Sequence, residues 1–368
     1  MKKILVVKTG AIGDVLMTTS FLRELKKKHP RSHIHYLVEN WSAPVLKYNP
    51  YIEKLIVLKN NTFTRCKLFI LIPLLLKLFF FNYSKIYVLH KNRFISIYFS
   101  FLLKPIYIFF SGNFQSNTLF NFFKLLIAKS SFPKSAHHAR VFARLICVSL
   151  PKTCKYDFFV PKNDLNIKTM ACIDRKRPSI CINPGGGDNP AEQVDVRQWG
   201  MEKYINLVDR ILKNWNLNII LTGGPSDYQL CRDIEIQVGD KRLYNLAGKT
   251  NLFQLKKIIE SSDIFITGDT GGMHIAASTE TPIISIFGPT DPLEKAPFNH
   301  QDSLYIKTGV SCHPCYFGKF PGCKNFICMK DIDVENILEE LRDLLSNRCC
   351  QTKSHILKKK TARLHKNI

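Results

Sequence analysis

The sequence predicts an α/β protein made of two doubly wound parallel sheets, and three observations lead there. Short apolar runs alternate with amphipathic stretches of helical spacing along the chain. Glycine-rich turns stand where several of those runs pass into helices. Finally, 368 residues with 45% hydrophobic content suffice for about two full cores.

Taken in order, residues 4–7 (ILVV) read as a buried parallel strand, 9–14 (TGAIGD) as its turn, and 15–28 as an amphipathic helix. That helix ends in basic residues before Pro30. Residues 34–38, 52–58, 85–89 and 106–110 supply further strands of the first sheet. Composition turns polar around 157–177, with Pro161 and the DRKRP cluster, so the linker is placed there. The second half opens with strand 179–182 and the turn NPGGG, followed by RQW and helix 201–213. Strand 218–221 ends in TGGP, Asp227 begins the next helix, and NLAG leads to helix 252–261. Residues 264–292 then form the unit around which the chain is organised: strand, GDTGG turn, helix, and a second strand at 283–287 closed by Gly288-Pro289. A helix over 334–345 closes the fold. The divisions are therefore 1–165, 166–345 and a basic tail, 346–368, expected to be disordered.

The net charge of +24 is uneven. Residues 1–150 hold 23 Lys+Arg against 4 Asp+Glu, residues 151–345 hold 23 against 25, and the tail holds 7 against none. A basic first half calls for a polyanionic partner: nucleic acid, an anionic membrane face or a phosphorylated substrate. No acidic residue occurs between Glu53 and Asp157, and residues 66–130 are rich in Phe, Leu, Ile, Lys and Tyr. The most apolar run, 68–81, contains Pro73 and Lys77 and is shorter than the roughly 20 residues a bilayer span needs. Core helices, or a basic and aromatic surface lying on a membrane, fit it better. The N-terminal MKKILVVKTGAIGD is too short in its apolar run, and too soon interrupted by Lys8, for a signal peptide. With no secretion signal, the 12 cysteines read as cytoplasmic thiols rather than a disulfide framework.

Four features carry chemistry. Gly271 and Gly272 before a helix let a phosphate approach the backbone, where N–H groups and the helix dipole favour negative charge. Asp269 and Thr270 are equally good helix caps. Asp14 reads either as a cap or as a general base at a cleft mouth. Cys312, Cys315, Cys323 and Cys328 have C-x2-C and C-x4-C spacing; they could hold zinc, or be free thiols in a loop.

Together the segments resemble glycosyltransferase family 9, the ADP-heptose:lipopolysaccharide heptosyltransferases. KILVVKTGAIGDVLMTT, NPGGG with RQW, LTGGPSD, NLAGKTNL, ITGDTGGMHIAAS, TPIISIFGPTDP and CHPC…C…CM fall in family order from residue 3 to about 345. The resemblance implies a GT-B fold, two Rossmann-like domains facing across a cleft, with the acceptor on the N-terminal half and the ADP-sugar on the C-terminal half. It implies inverting, metal-independent transfer with no cofactor, and Asp14 as the base that deprotonates the acceptor hydroxyl. Thr9, Gly10 and Gly13 would lie on the acceptor side. Gly185, Gly186, Arg197, Asp227, Thr250, Asp269, Thr270, Gly271, Gly272 and His274 would lie on the donor side. Arg197 stands where the family usually has lysine, and a guanidinium can clamp a diphosphate bidentately. His274 could equally be a satisfied helix residue.

The middle of the first half follows the family only loosely. The resemblance therefore implies a phosphorylated lipopolysaccharide core as acceptor without choosing the sugar. It places the protein in the cytoplasm, peripheral on the inner face of the inner membrane. A related transferase with another nucleotide sugar is one alternative. A basic nucleic-acid-binding protein is another, although the basic residues are interleaved with aliphatic and Phe runs, no recognised binding module appears, and no nucleic acid is expected.

Overall fold

The computed structural model describes residues 2–346, apart from 60–67, 91–94, 96–97, 100–105, 110–126, 131–135, 152–153, 162–172, 175, 187–194, 299, 301, 317–321 and 324. The 165/166 boundary, nearly half of the Phe-rich stretch 66–130 and all but the first residue of the tail lie outside the described residues.

Two six-stranded parallel sheets form. The first contains β1 (Lys3–Val7), β2 (His33–Glu39), β3 (Lys54–Leu58), β4 (Lys85–Val88), β5 (Ile106–Phe109) and β6 (Ile127–Ser130), in the order β3-β2-β1-β4-β5-β6. The second contains β7 (Ser179–Asn183), β8 (Asn218–Leu221), β9 (Leu243–Asn245), β10 (Ile264–Gly268), β11 (Ile283–Ile286) and β12 (Ser303–Ile306), in the order β12-β11-β10-β7-β8-β9. This is the doubly wound order in both halves. The α/β, GT-B reading thus holds.

Helices on both faces explain the unbroken apolar strands. Ile4 and Val6 of β1 join one buried cluster while Leu5 and Val7 join another, so alternate side chains enter separate cores. The Ile4 cluster continues through Tyr156, Ile275 and Phe298 to Phe265, so the two halves share one apolar contact. Ile180 and Ile182 of β7 face a third core with Leu207, Ile211 and Ile337.

The helix expected at 15–28 is two helices, α1 (Ile12–Leu16) and α2 (Thr19–Lys28). The reason lies in consecutive threonines. Thr18 Oγ1 donates to Val15 O at 2.7 Å and Thr19 Oγ1 to Leu16 O at 2.7 Å, competing with the helical backbone bonds there. The apolar run after β3 is a helix, α3 (Leu68–Phe80), with Pro73 inside it. Among the described residues no helix is long and apolar enough to cross a membrane.

Candidate active site

Open α/β sheets take ligands outside the strand ends at the point where strand order reverses. Here those points lie between β1 and β4 and between β7 and β10. The turns leaving β1, β7 and β10 converge on one cavity of about 680 Å³. Gly13 and Asp14 enter it from the first half. Gly186, Arg197, Asp227, Thr250, Asp269, Thr270, Gly271, Gly272 and His274 enter from the second. Of the residues singled out in the sequence, Thr9, Gly10 and Gly185 are not among those that line it.

The first and last of these turns touch. A Cβ added to Gly13 would come within 2.1 Å of His274 Cδ2, and one on Gly271 within 3.4 Å of Ile12 Cβ. Gly13 therefore has no side chain because α1 lies directly against the helix Gly271–Ala276. Gly10 has a different reason: its φ of 127° lies in the region L side chains avoid, and it turns the chain from β1 towards α1.

Asp14 sits in the first turn of α1 and receives the Lys8 ammonium, Nζ to Oδ2 at 3.2 Å. Lys8 is itself buried. Burial alone would raise the Asp14 carboxyl. Lys8, Lys295 and His138 outweigh it and hold the group well below the usual carboxylate range. Asp14 is thus an anion at neutral pH, with 26% of its side chain open to the cleft.

Across the cavity, Asp269 accepts from Arg197 Nη1 at 3.3 Å, with side chains 3% and 9% exposed. Burial pushes the Asp269 carboxyl up, but Arg197, Lys295 and His274 bring it below its ordinary value. Thr270 caps the following helix by accepting from the Met273 amide at 3.4 Å. The amides ahead of Met273 have no acceptor within the helix, as at any helix start. Gly272 is crowded from β7: a Cβ there would lie 2.9 Å from Asn183 Nδ2.

Asp227 is held between two glycine turns. Its Oδ2 accepts from the Gly224 amide at 2.8 Å, and a Cβ on Gly185 would fall 2.0 Å from Oδ1. Thr250 precedes Asn251, whose side chain caps the helix Leu252–Ser261 by accepting from the Gln254 amide at 2.9 Å. His274 is buried, and burial lowers its imidazole to about 4 against the pull of Asp269 and Asp14. It is neutral at pH 7. Its Nδ1 and the Asn183 Oδ1 are both buried without a hydrogen-bond partner in the protein, two polar atoms a ligand could satisfy.

Sequence reading overlooked Lys8, Asn183, Trp41, Phe253 and Lys295 as site residues. Asn183 was visible as the first residue of NPGGG. Lys295 lies at the end of the short helix Pro292–Lys295, whose cap is Asp291. The Asp-Pro helix start was legible, but nothing local says that this lysine faces both Asp14 and Asp269.

The cysteines stand apart from the cavity. Cys312 is exposed, Cys315 and Cys323 are half-buried and Cys328 is buried, all as free thiols. Among the described residues no three His, Cys, Asp or Glu side chains are placed to hold a metal ion.

Residues 124–318, more than half of the chain, match the family model described as glycosyltransferase family 9 (heptosyltransferase). Lipopolysaccharide heptosyltransferase 2 of Salmonella typhimurium is 25% identical over 94% of this chain and 99% of its own length. Lipooligosaccharide heptosyltransferase 2 of Campylobacter jejuni is 27% identical over 45% of this chain, a match that spans 50% of that relative's length. The solved structure of E. coli ADP-heptose lps heptosyltransferase II superposes with a TM-score of 0.69 at 21% identity, covering 95% of this chain and 99% of the other. That likeness establishes the shared fold.

Proposed function

The chain belongs to glycosyltransferase family 9, and from that premise we propose that it transfers heptose from ADP-heptose to a phosphorylated lipopolysaccharide core, with inversion and without a metal. One observation carries this reading. A carboxylate on the first turn of the N-terminal half and the Asp269–Gly272 turn of the C-terminal half line the same cavity, as direct displacement of a diphosphate demands. The division at residue 165/166 separates an acceptor-binding half from a donor-binding half.

In the proposed step the acceptor hydroxyl oxygen bonds to C1 of the heptose and its proton passes to the Asp14 carboxylate. The C1–O bond to the β-phosphate breaks, and ADP leaves with the electron pair from the opposite face. The strongly depressed Asp14 value keeps the residue ionised and makes it a weak base at rest. Proton transfer therefore falls late, when bond formation to C1 has acidified the hydroxyl. Charge building on the diphosphate meets Arg197, Lys295 and the amides of Gly271 and Gly272, a preorganised positive environment. Asn183 and Thr250 lie along the donor side. Asp227, held by the Gly224 amide, stands on the ribose side of the donor.

The basic first half holds the phosphorylated acceptor at the cytoplasmic face of the inner membrane, where the protein is peripheral. ADP release tests the proposal, combined with mass spectrometry of truncated lipopolysaccharide cores. A mass gain of one heptose with ADP-heptose, and none with UDP- or GDP-sugars, is expected. Transfer from another nucleotide sugar alone would refute the donor assignment.

A further inference from the structure

Helix α3 has no polar face. Its sequence, LFILIPLLLKLFF, contains one charged residue, Lys77. At 100° per residue its described side chains divide into two apolar stripes. Leu74, Leu75 and Leu78 turn inward, with Leu78 1% exposed, and pack with the following Phe81 on the core around Leu5, Val7 and Val88. On the other side Ile72, Leu76, Phe79 and Phe80 remain 53%, 57%, 54% and 82% exposed. Offsets of four, seven and eight residues from Ile72 place these four on one face. A helix that serves only as the cover of a sheet would carry polar residues there.

Cations stand along the C-terminal part of this helix and just past its end. Lys77 is exposed. Past the helix end, Lys54 and Lys3 place their ammonium groups 4.5 Å and 5.7 Å from the centre of the Phe81 ring. No acidic residue follows in sequence until Asp157. An apolar ridge in a basic setting has the composition of an interfacial segment: hydrocarbon for the acyl boundary, with lysines long enough to reach the headgroups. A second copy of this chain fits poorly, because joining the two ridges would bring two strongly basic halves together.

We infer that α3 is the membrane-contacting element of this protein, with Phe79, Phe80, Leu76 and Ile72 entering the outer acyl region of an anionic phospholipid bilayer and Lys3, Lys54 and Lys77 meeting the headgroups. This rests on the membrane-borne acceptor proposed above. It adds the surface that binds and the lipid charge it selects. The ridge presents a shallow, in-plane contact, consistent with a helix of 13 residues that is too short to span.

The test uses the full chain and two variants, Phe79→Ser/Phe80→Ser and Ile72→Ser/Leu76→Ser, each compared by thermal melting. Sedimentation with vesicles of phosphatidylethanolamine and phosphatidylglycerol is measured against vesicles of phosphatidylcholine alone. The wild type should bind the anionic vesicles and release from the neutral ones. Each variant should melt normally and lose roughly 100-fold in partitioning, about tenfold per inserted side chain. ADP release on a delipidated, water-soluble core oligosaccharide should be the same in all three proteins. Undiminished vesicle binding by both variants overturns the inference. So does absence of binding by the wild type, or concentration-dependent dimerisation that the substitutions abolish. Loss of vesicle binding in proteins that all lack transferase activity would leave the membrane surface standing and overturn only the proposed reaction.

Discussion

Replacing Gly13 with alanine tests the contact on which the proposed site depends. The new methyl would arrive 2.1 Å from the His274 ring carbon. Non-bonded carbons settle at about 3.5–4.0 Å, so ring and helix must separate by about 1.4 Å or more. The ring is buried between the two halves, so the displacement falls on the α1 contact with the helix Gly271–Ala276. Overpacking of this kind costs about 1–3 kcal/mol, partly offset by up to about 1 kcal/mol for alanine over glycine in a helix. A misplacement of about 1 Å costs on the order of 100-fold in rate. Gly13→Ala should therefore lower kcat about 100-fold, with Asp14 intact and the protein destabilised by about 0–3 kcal/mol. The decisive measurement is a double-mutant cycle by denaturant unfolding. In a His274→Ala background the clash is gone, so Gly13→Ala should become neutral or stabilising, a coupling of about 1–3 kcal/mol. Equal effects in both backgrounds, or turnover like the wild type, would falsify the packing of these two turns.

Asp14→Asn should lower kcat by about 10²–10⁴, the usual contribution of a general base, while ADP affinity measured by calorimetry stays within a few-fold; substantial residual turnover would reduce Asp14 to the ion-pair partner of Lys8, since the N-cap of α1 is Ala11 and no side chain caps it. Lys8→Met removes the nearest cation, so the Asp14 pKa should rise and the acid limb of the kcat/KM profile should move to higher pH. A limb that stays fixed separates Lys8 from Asp14. Asp14 also bears on stability: its folded value lies below the ordinary one, so its contribution is present above about pH 3.8 and fades as pH falls below it. Arg197→Ala strips a buried partner from Asp269 and a cation from the donor side; ADP should bind more weakly, and the protein should lose up to about 3–5 kcal/mol, less to the extent that Lys295 compensates. Unchanged ADP affinity would remove Arg197 from the site. With positive charge supplied by Arg197 and Lys295, dialysis against EDTA should leave the rate of ADP release unaltered, whereas loss restored by zinc would return attention to Cys312, Cys315, Cys323 and Cys328.

Much of this protein was written locally. Parallel strands covered on both faces must be apolar without alternation, so ILVV, SICI, NIIL and IFIT announced β1, β7, β8 and β10 to within a residue or so. Turns that bring backbone near a ligand need glycine, so GAIGD, NPGGG, TGGP and GDTGG marked the strand ends that line the cavity. The split after Leu16 was less legible, because threonines take back backbone carbonyls only once a helix has formed. What remained hidden depends on sheet order. Strand 1 beside strand 4, and strand 10 beside strand 7, put turns more than 250 residues apart in sequence at a common cleft. Only that arrangement lays Gly13 on His274, aims Lys295 at both carboxylates and joins Asp227 to Gly185. The outer stripe of α3 was decided the same way: an all-apolar helix does not say which of its sides the sheet will cover, and the sheet left Phe79 and Phe80 in the open. Residue chemistry is carried by the chain, but which charges and surfaces meet is set by long-range packing.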